Sequence, residues 1–394
     1  MSAFDGIAAG YDAVVVGARA AGAATAMLLA RRGLRVLAVD RGAYGSDTLS
    51  THALMRLGVL QLARWGVLER IEALDTPRVS RTVFHYPDEV VDIPIKPQGA
   101  VPALFAPRRT VLDRVLVDAA VEAGAVVRHR VRLADLVRGA GGRVEGVVLR
   151  DDDGVSRTVR SRIVIGADGL RSTVASLVEA PVTSAGAHAT ATIYGYWSGL
   201  DIDGYHWHWS PGLAAGAIPT NGGQVVLFAV MPGRRFSDVA AAGLAPAYGR
   251  ILAECAPDIA PRLANARLVG SLRGFPGHAG FLRRPWGPGW ALVGDAGYFK
   301  DPLTAHGISD ALRDAELLAL AVAEGGDSAL SWYELARDDM ATRLFELTDR
   351  IASLEWDIRE LKTLHRSLSD EMKREVREMN RLHDLRAEPA TVTG

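Results

Sequence analysis

The chain opens with an alternation of apolar runs that predicts a strand, a helix and a second strand. Residues 11–17 are mostly apolar, as in a buried strand, residues 20–32 are rich in alanine and other small residues, and residues 34–40 are again mostly apolar. Small side chains let a helix approach a sheet closely. The pattern therefore predicts a βαβ unit in the first forty residues.

Different patterns follow along the chain. Apolar residues on one face predict a helix over 111–123, and residues 125–166 read as short strands with a glycine-rich turn at 139–142. From about 183 to 270, polar and apolar residues alternate, which is typical of half-buried antiparallel strands. Within that block, Asn221-Gly222 between two apolar runs predicts a hairpin turn.

The tail from residue 332 to about 385 is strongly charged, and its pattern predicts a helix. Apolar residues recur at alternating spacings of three and four: Leu344, Leu347, Ile351, Leu354, Ile358 and Leu361. Such a stripe fits a helix packed against its own chain or a dimer seam, and we favour the first. The sequence leaves a monomer and a homodimer both open.

Composition narrows the class of protein. The chain has 394 residues, 48% of them hydrophobic, and a formal net charge of −1, so it can build a large core but gives no electrostatic case for binding nucleic acid. Cys255 is the only cysteine, which excludes internal disulfides and fits a cytoplasmic protein. The longest uncharged stretch, 204–233, contains Pro211 and Pro219, so we expect no membrane span.

The first candidate chemistry lies in "VVGARAAGAA". The dinucleotide fingerprint G-x-G-x-x-G has Gly17 and Gly22 in place, but Arg19 holds the middle position. Asp40 ends the second predicted strand, where a carboxylate can accept hydrogen bonds from an adenosine ribose and would repel a 2′-phosphate. The motif therefore favours FAD or NAD, although a small-residue helix in any α/β sheet would look similar.

Two further segments carry comparable signals. In "VIGADGLRS" a strand runs into Asp168-Gly169, which alone is no more than a turn. In "WALVGDAGYFKDPLTAHGISDAL", Asp295 follows a short strand, and a proline-containing loop leads to a helix that begins near Gly307. A carboxylate there can bind a polyol, and the helix N-terminus can face a group that becomes negative, such as the edge of a reduced flavin.

In this order and spacing, the three segments resemble the group A FAD-dependent monooxygenases of the p-hydroxybenzoate hydroxylase type. Their superfamily includes flavin-dependent halogenases and geranylgeranyl reductases. The resemblance implies an α/β fold, with a glutathione-reductase-like Rossmann FAD-binding domain, an inserted antiparallel substrate sheet and C-terminal helices. The predicted boundaries are 1–75, 101–182 and 271–330 for the FAD-binding domain, 76–100 and 183–270 for the sheet, and 331–394 for the helices.

The resemblance also assigns roles to residues. The predicted FAD-binding residues are Gly17, Arg19, Ala20, Ala21, Gly22, Asp40, Arg41, Arg109, Asp168, Gly169, Asp295, Gly307 and Ile308. In this assignment Gly17, Gly22 and Asp40 bind the ADP half of FAD, and Asp295 binds the ribityl chain. Asp168-Gly169 also serves the nicotinamide donor, and the backbone of His306-Gly307 faces the pyrimidine edge. Arg19 departs from the pattern, and its guanidinium can help neutralise the pyrophosphate.

The implied chemistry uses NADPH or NADH to reduce FAD and O2 to form a flavin C4a-hydroperoxide. That group would hydroxylate or epoxidise a small, aromatic substrate. The catalytic candidates are His52, Pro302 and His306. A reductase of prenyl double bonds would share every FAD motif. A halogenase needs an early lysine, and only Lys96 is available, in a proline-flanked loop. A non-catalytic flavin-binding protein is the remaining alternative.

The aromatic residues of the predicted sheet are the candidate substrate pocket. These candidates are Tyr194, Tyr196, His206, Trp207, His208 and Trp209. Because successive side chains of a strand alternate between faces, Trp207 and Trp209 share one face, and His206 and His208 share the other. The two histidines could form part of a metal site, but no third ligand is evident, so no metal is predicted.

Overall fold

The computed structural model describes residues 4–387. The strands are β1 (Gly10–Val16), β2 (Val36–Asp40), β3 (Arg81–Tyr86), β4 (Glu89–Pro94), β5 (Val126–His129), β6 (Val131–Arg138), β7 (Val144–Asp151), β8 (Ser156–Gly166), β9 (Val182–Ala185), β10 (Thr190–Ser198), β11 (Tyr205–Ser210), β12 (Leu213–Thr220), β13 (Gln224–Pro232), β14 (Arg267–Phe275), β15 (Phe281–Arg283), β16 (Trp286–Gly287), β17 (Trp290–Leu292) and β18 (Tyr298–Phe299). The helices are α1 (Ala20–Arg31), α2 (Arg56–Arg64), α3 (Leu68–Glu72), α4 (Arg109–Glu122), α5 (Thr173–Leu177), α6 (Phe236–Ala242), α7 (Leu244–Cys255), α8 (Gly307–Glu324), α9 (Gly326–Ala352) and α10 (Ile358–Ala387).

The first sheet is built on the predicted βαβ unit. Six of its eight strands run in the order β16-β17-β8-β1-β2-β5, and β7 pairs with both β6 and β8. β1 lies parallel to both β2 and β8. Val15 pairs with Ala38 on one side and Ile165 on the other, and all three are fully buried. Strands buried on both faces have continuous apolar runs, and for this reason the first two strands could be predicted from the sequence. The βαβ prediction is confirmed.

The second sheet has seven strands in the order β14-β10-β13-β12-β11-β3-β4. Its pairs are antiparallel except for β11 with β3, which is parallel. Asn221 and Gly222 lie in the turn between β12 and β13, where Thr220 pairs with Gln224, so the predicted hairpin is confirmed. The parallel contact joins a hairpin from residues 81–94 to strands more than one hundred residues later.

The two faces of this sheet have different coverings. Tyr194, Tyr196 and Trp207 belong to the same buried cluster as residues of α1, α4 and α8, so this inner face packs on the FAD-type domain. The opposite, outer face carries a separate apolar cluster that α7 covers. The inner face of the sheet therefore lies at the junction of the two layers.

The C-terminal tail is helical, as predicted, and it divides into two helices. α9 ends at Ala352 and α10 begins at Ile358, and Leu354 between them has a φ of 55° that a helix cannot continue through. The apolar stripe spans the break and packs into this chain's own core, as we favoured. None of the helices in residues 4–387 combines the length and apolar character that a bilayer crossing needs.

Candidate functional site

The glycine-rich turn after β1 is packed too tightly for side chains at two positions. Gly17 has a φ of 100°, and a Cβ there would lie 2.3 Å from the carbonyl oxygen of Ala167. A Cβ on Gly22 would lie 1.8 Å from the carbonyl oxygen of Gly17. The two glycines therefore bring the N-terminus of α1 against the ends of β1 and β8, as a dinucleotide site requires.

Arg19 fits the middle position because its backbone is extended, with a φ of −88°. Its side chain turns away from the loop: Nη2 donates to Ser46 Oγ at 3.2 Å, and Nη1 lies 3.6 Å from Asp113 Oδ2. Arg109 donates to Asp113 Oδ1 from Nε at 3.1 Å and from Nη2 at 2.9 Å. One buried carboxylate thus orients two guanidinium groups beside the start of α1.

Asp113 was missed by sequence reasoning. The signal was its position one helical turn after Arg109, where an i,i+4 ion pair forms. Burial raises the pKa of Asp113, while Arg109 and Arg19 act in the opposite direction. The carboxylate matters to the site because it contacts two of the predicted FAD-binding arginines, Arg19 and Arg109.

Asp40 lies at the end of β2, where the ribose prediction places it. Its Oδ2 accepts from the backbone N–H of Ala18 at 2.9 Å, and its Oδ1 accepts from that of Gly42 at 2.7 Å. Each carboxylate oxygen retains a lone pair for a further donor. Arg41 follows and is exposed. Asp40 therefore ties the glycine-rich turn to β2 and still has acceptor capacity for a ribose.

Asp168 and Gly169 form the turn between β8 and α5. Oδ1 of Asp168 accepts from Ser172 Oγ at 2.5 Å, and Oδ2 accepts from the backbone N–H of Thr173 at 2.6 Å. Gly169 has a φ of 80°, and a Cβ there would meet no atom within 4 Å. The Asp168 carboxylate accepts from backbone N–H groups in the first turn of α5, whose N-cap residue is Ser172. Its role toward FAD or the nicotinamide donor stays a prediction.

Asp295 lies close to the N-terminus of α8. It follows β17 in a tight turn, and its Oδ1 lies 3.9 Å from where a Cβ on Gly307 would be. Burial raises the pKa of Asp295 to about 6, and Arg109 opposes that shift. In the first turn of α8, the N–H groups of Gly307 and Ile308 have no partner within the helix. A carboxylate acceptor and free amide donors therefore lie side by side.

His306 occupies the position just before α8. Its Nδ1–H donates to the carbonyl oxygen of Thr304 at 2.7 Å, and the buried Nε2 has no hydrogen-bond partner among the described residues. Burial lowers the pKa of His306 to about 4, so the ring is neutral. Ala305 has a φ of 53°, and Pro302 begins the short helical turn before it. The loop thus holds an uncommon backbone conformation next to a free acceptor nitrogen.

His52 contacts the substrate sheet, which the sequence could not establish. It is fully buried, and its Nε2 lies 2.5 Å from the hydroxyl of Tyr196 on β10. The His52 Nδ1 has no partner in the part of the chain described. Burial lowers the pKa of His52 well below its ordinary value, and Arg108 and Arg109 lower it further. A neutral imidazole is therefore paired with a phenol at the wall of the site.

Three charged residues surround this pair and were not predicted. The Arg108 guanidinium lies 3.6 Å above the centre of the Tyr196 ring. Asp47 Oδ2 accepts from Arg108 at 3.0 Å and from Arg273 at 3.3 Å. These residues come from three distant segments, so their sequence positions gave no signal. Together they add net positive charge next to His52 and Tyr196.

The remaining predicted pocket residues divide between the two faces of the sheet. Tyr194 lies edge-on to Tyr196, with ring centres 6.0 Å apart, and both belong to the inner cluster along with Trp207 and Trp209. Trp209 contacts His365 of α10, with ring centres 4.5 Å apart. The structure therefore brings the tyrosines and tryptophans together on the inner face.

His206 and His208 alternate with the tryptophans and lie on the outer face. They do not join the group around His52. This separation follows from the strand's two-residue period. The outer-face histidines meet a partner of their own, His85.

The residues around the N-termini of α1 and α8 fit FAD. The start of α1 with Arg19 and Arg109 can hold the pyrophosphate, Asp40 the ribose, Asp295 the ribityl hydroxyls and the start of α8 the isoalloxazine edge. Two buried ring nitrogens without partners, on His52 and His306, also suit a site that a ligand completes.

Known proteins support the same conclusion. Residues 10–224, more than half of the chain, match the family model described as an FAD binding domain. Digeranylgeranylglycerophospholipid reductase 2 of Methanopyrus kandleri is 30% identical, over 83% of this chain and 81% of its own length. The 6-methylpretetramide 4-monooxygenase of Streptomyces rimosus is 28% identical, over 85% and 78%.

A solved structure shares the fold. The myxobacterial chondrochloren halogenase, an FAD-dependent halogenase, superposes with a TM-score of 0.78 over 93% of this chain and 91% of its own, at 21% identity. The chain is an FAD-dependent oxidoreductase, and it belongs to the FAD-binding family that contains monooxygenases, halogenases and geranylgeranyl reductases.

Proposed function

We propose that the protein is an FAD-dependent monooxygenase that transfers one atom of O2 to a compact aromatic substrate, with NADPH or NADH as the electron donor. The observation that carries this proposal is the His52–Tyr196 pair, which lies in a wall of aromatic rings next to Arg108. Aromatic side chains next to hydrogen-bonding groups and a positive charge suit a phenol-like ligand better than a long saturated chain.

Bound FAD would supply the electron transfer and the oxygen activation. The chain's own residues bind and orient the substrate and move a proton. Neutral His52 can take a proton from a substrate hydroxyl, with the Tyr196 hydroxyl as the relay into Nε2. Arg108 favours the phenolate form of the substrate because an adjacent positive charge lowers the pKa of an acid.

The aromatic wall has a second task, which is to keep water away. Tyr194, Tyr196 and Trp207 are each less than 7% exposed, and they cover the site from the side of the sheet. A dry site protects a reactive oxygen donor from hydrolysis and strengthens each electrostatic contact inside it. Both effects favour oxygen transfer over loss of the oxidant.

The second candidate is a reductase that adds two hydrogens to an isoprenoid double bond. The relative from Methanopyrus kandleri favours it, since its name describes the reduction of digeranylgeranyl chains. In that reaction the flavin would give a hydride and the His52–Tyr196 pair the proton. Halogenation fits less well, because Lys96, the one lysine before residue 300, is exposed on a loop.

One experiment separates the candidates. The purified FAD-loaded protein is reduced anaerobically with NADPH or NADH, in the presence of small phenols and indoles or of prenylated lipids. We expect a phenol or indole to accelerate the bleaching of the flavin. On admission of heavy-isotope oxygen gas, the product should gain one labelled oxygen atom by mass spectrometry.

Other outcomes contradict the monooxygenase proposal. A prenylated lipid that gains two hydrogens without O2, while reoxidising the flavin, would establish the reductase instead. Hydrogen peroxide as the sole oxygen product with every aromatic compound would also oppose oxygen transfer. A halogenated product, obtained with added bromide or chloride, would assign the third activity of the family.

A further inference from the structure

Three histidines meet on the outer face of the seven-stranded sheet. β11 pairs with β3 in parallel, and His208 is directly opposite His85 in that register. His206 lies two residues before His208 and so shares its face. The His85 ring centre lies 4.0 Å from that of His208 and 5.2 Å from that of His206. One ring nitrogen from each histidine lies within 4.8 Å of the others.

A hydrogen bond fixes which nitrogen of the His206 ring can accept, and a carboxylate faces one nitrogen of His208. Nε2–H of His206 donates to the carbonyl oxygen of Asp203 at 3.0 Å, so its Nδ1 carries the lone pair, and that atom lies 3.0 Å from His85 Nε2. His208 Nδ1 faces Asp258 Oδ1 at 3.5 Å. A carbonyl or carboxylate on the far nitrogen is the usual way in which proteins orient metal-binding histidines.

His208 supplies the independent sign of a missing ligand. Its side chain is only 1% exposed, and its Nε2 has no hydrogen-bond partner within residues 4–387. Burying a ring nitrogen without a partner costs free energy that a hydrogen bond or a metal would recover.

An ion can reach this cluster from outside. A cavity of about 320 Å³ lies beside the cluster, and His85 and His206 both line it. Asp92 and Asp203 also line it, and both form ion pairs with Arg81. The path does not cross the FAD site, because the aromatic residues between the histidines point to the other face.

We propose that His85, His206 and His208 bind one divalent transition-metal ion, for which Zn²⁺ is the best match. Three imidazoles from two adjacent strands are a donor set that zinc, copper and nickel prefer over magnesium or calcium. Asp258, just beyond α7, holds His208 in place as an outer partner. The ion fastens the β3–β4 hairpin to the sheet, and this site is independent of the proposed oxygen chemistry.

The test is a titration of the tag-free, FAD-loaded protein with Zn²⁺ by calorimetry, and with Co²⁺ by visible spectroscopy at wavelengths longer than the flavin absorbs. We expect one ion to bind per chain. The visible absorption of bound Co²⁺ should be that of an ion with a low coordination number and mainly nitrogen ligands. His85→Gln and His206→Gln each remove one ligand from a half-buried position. Each should weaken binding by at least about 100-fold, and Asp258→Asn by about 10- to 100-fold.

His278→Gln is the matched control, because His278 is exposed and lies outside the cluster. It should bind Zn²⁺ as the unaltered protein does. Flavin content and thermal unfolding without metal identify any variant that fails to fold, and the two half-buried positions give separate chances of a folded one. Absence of stoichiometric binding by the unaltered protein, or equal binding by the folded cluster variants and His278→Gln, would overturn the proposal.

Discussion

The hydrogen bond between His52 and Tyr196 gives the sharpest test of the active site. Tyr196→Phe removes the hydroxyl 2.5 Å from His52 Nε2 and keeps the ring. Both ring nitrogens of a fully buried histidine then lack a partner among the described residues. An unsatisfied buried polar group costs about 1–3 kcal/mol, so the free energy of unfolding should fall by that amount.

The kinetic effect should be larger than stability alone explains. If Tyr196 relays a proton to His52, its loss should slow substrate-dependent turnover by about 10²- to 10⁴-fold, the range of general acid–base catalysis. The assay is the rate of flavin reoxidation by O2 with the aromatic substrate found in the panel, measured together with product formation. Urea unfolding of the same samples gives the stability change.

Tyr248→Phe is the matched control. Tyr248 is 3% exposed against 4% for Tyr196. Its hydroxyl accepts from Trp197 Nε1 at 2.9 Å and donates to the carbonyl oxygen of Leu227 at 3.1 Å, on the outer side of the sheet. This variant should lose comparable stability and keep its turnover rate. Equal turnover in the two variants would refute the role of the His52–Tyr196 pair.

Three further outcomes are expected. Gly17→Ala should purify without FAD, because its Cβ would lie 2.3 Å from a backbone oxygen, whereas Gly154→Ala, with nothing within 4 Å, should retain FAD by its absorbance. Arg313→Met should cost about 3–5 kcal/mol in urea unfolding, since it strands the buried carboxylates of Asp314 and Glu375; an unchanged midpoint would contradict this. Burial raises the pKa of Glu375 to about 7, so its protonated form favours folding. Stability should therefore decline as pH rises from about 4.5 through about 7, and less so in Glu375→Gln, by unfolding at a series of pH values.

The sequence by itself determined the FAD-type half of the protein. Its strands β1 and β2 contain the unbroken apolar runs 13–16 and 36–39 because both faces are buried there. The turn between β1 and α1 needs glycine where a Cβ would meet backbone. Such local requirements produce sequence motifs with fixed spacings, so Gly17, Gly22 and Asp295 could be identified from the sequence alone.

Only the tertiary structure decided which residues from distant segments contact the functional side chains. The partners of His52 and Arg19 are Tyr196 and Asp113, at separations that no periodicity links. The third histidine of the outer-face cluster comes from a hairpin that joins β11 in parallel, far along the chain. Pairing between distant strands depends on the packing of the whole core, whereas sequence patterns record only neighbours within a turn or a strand.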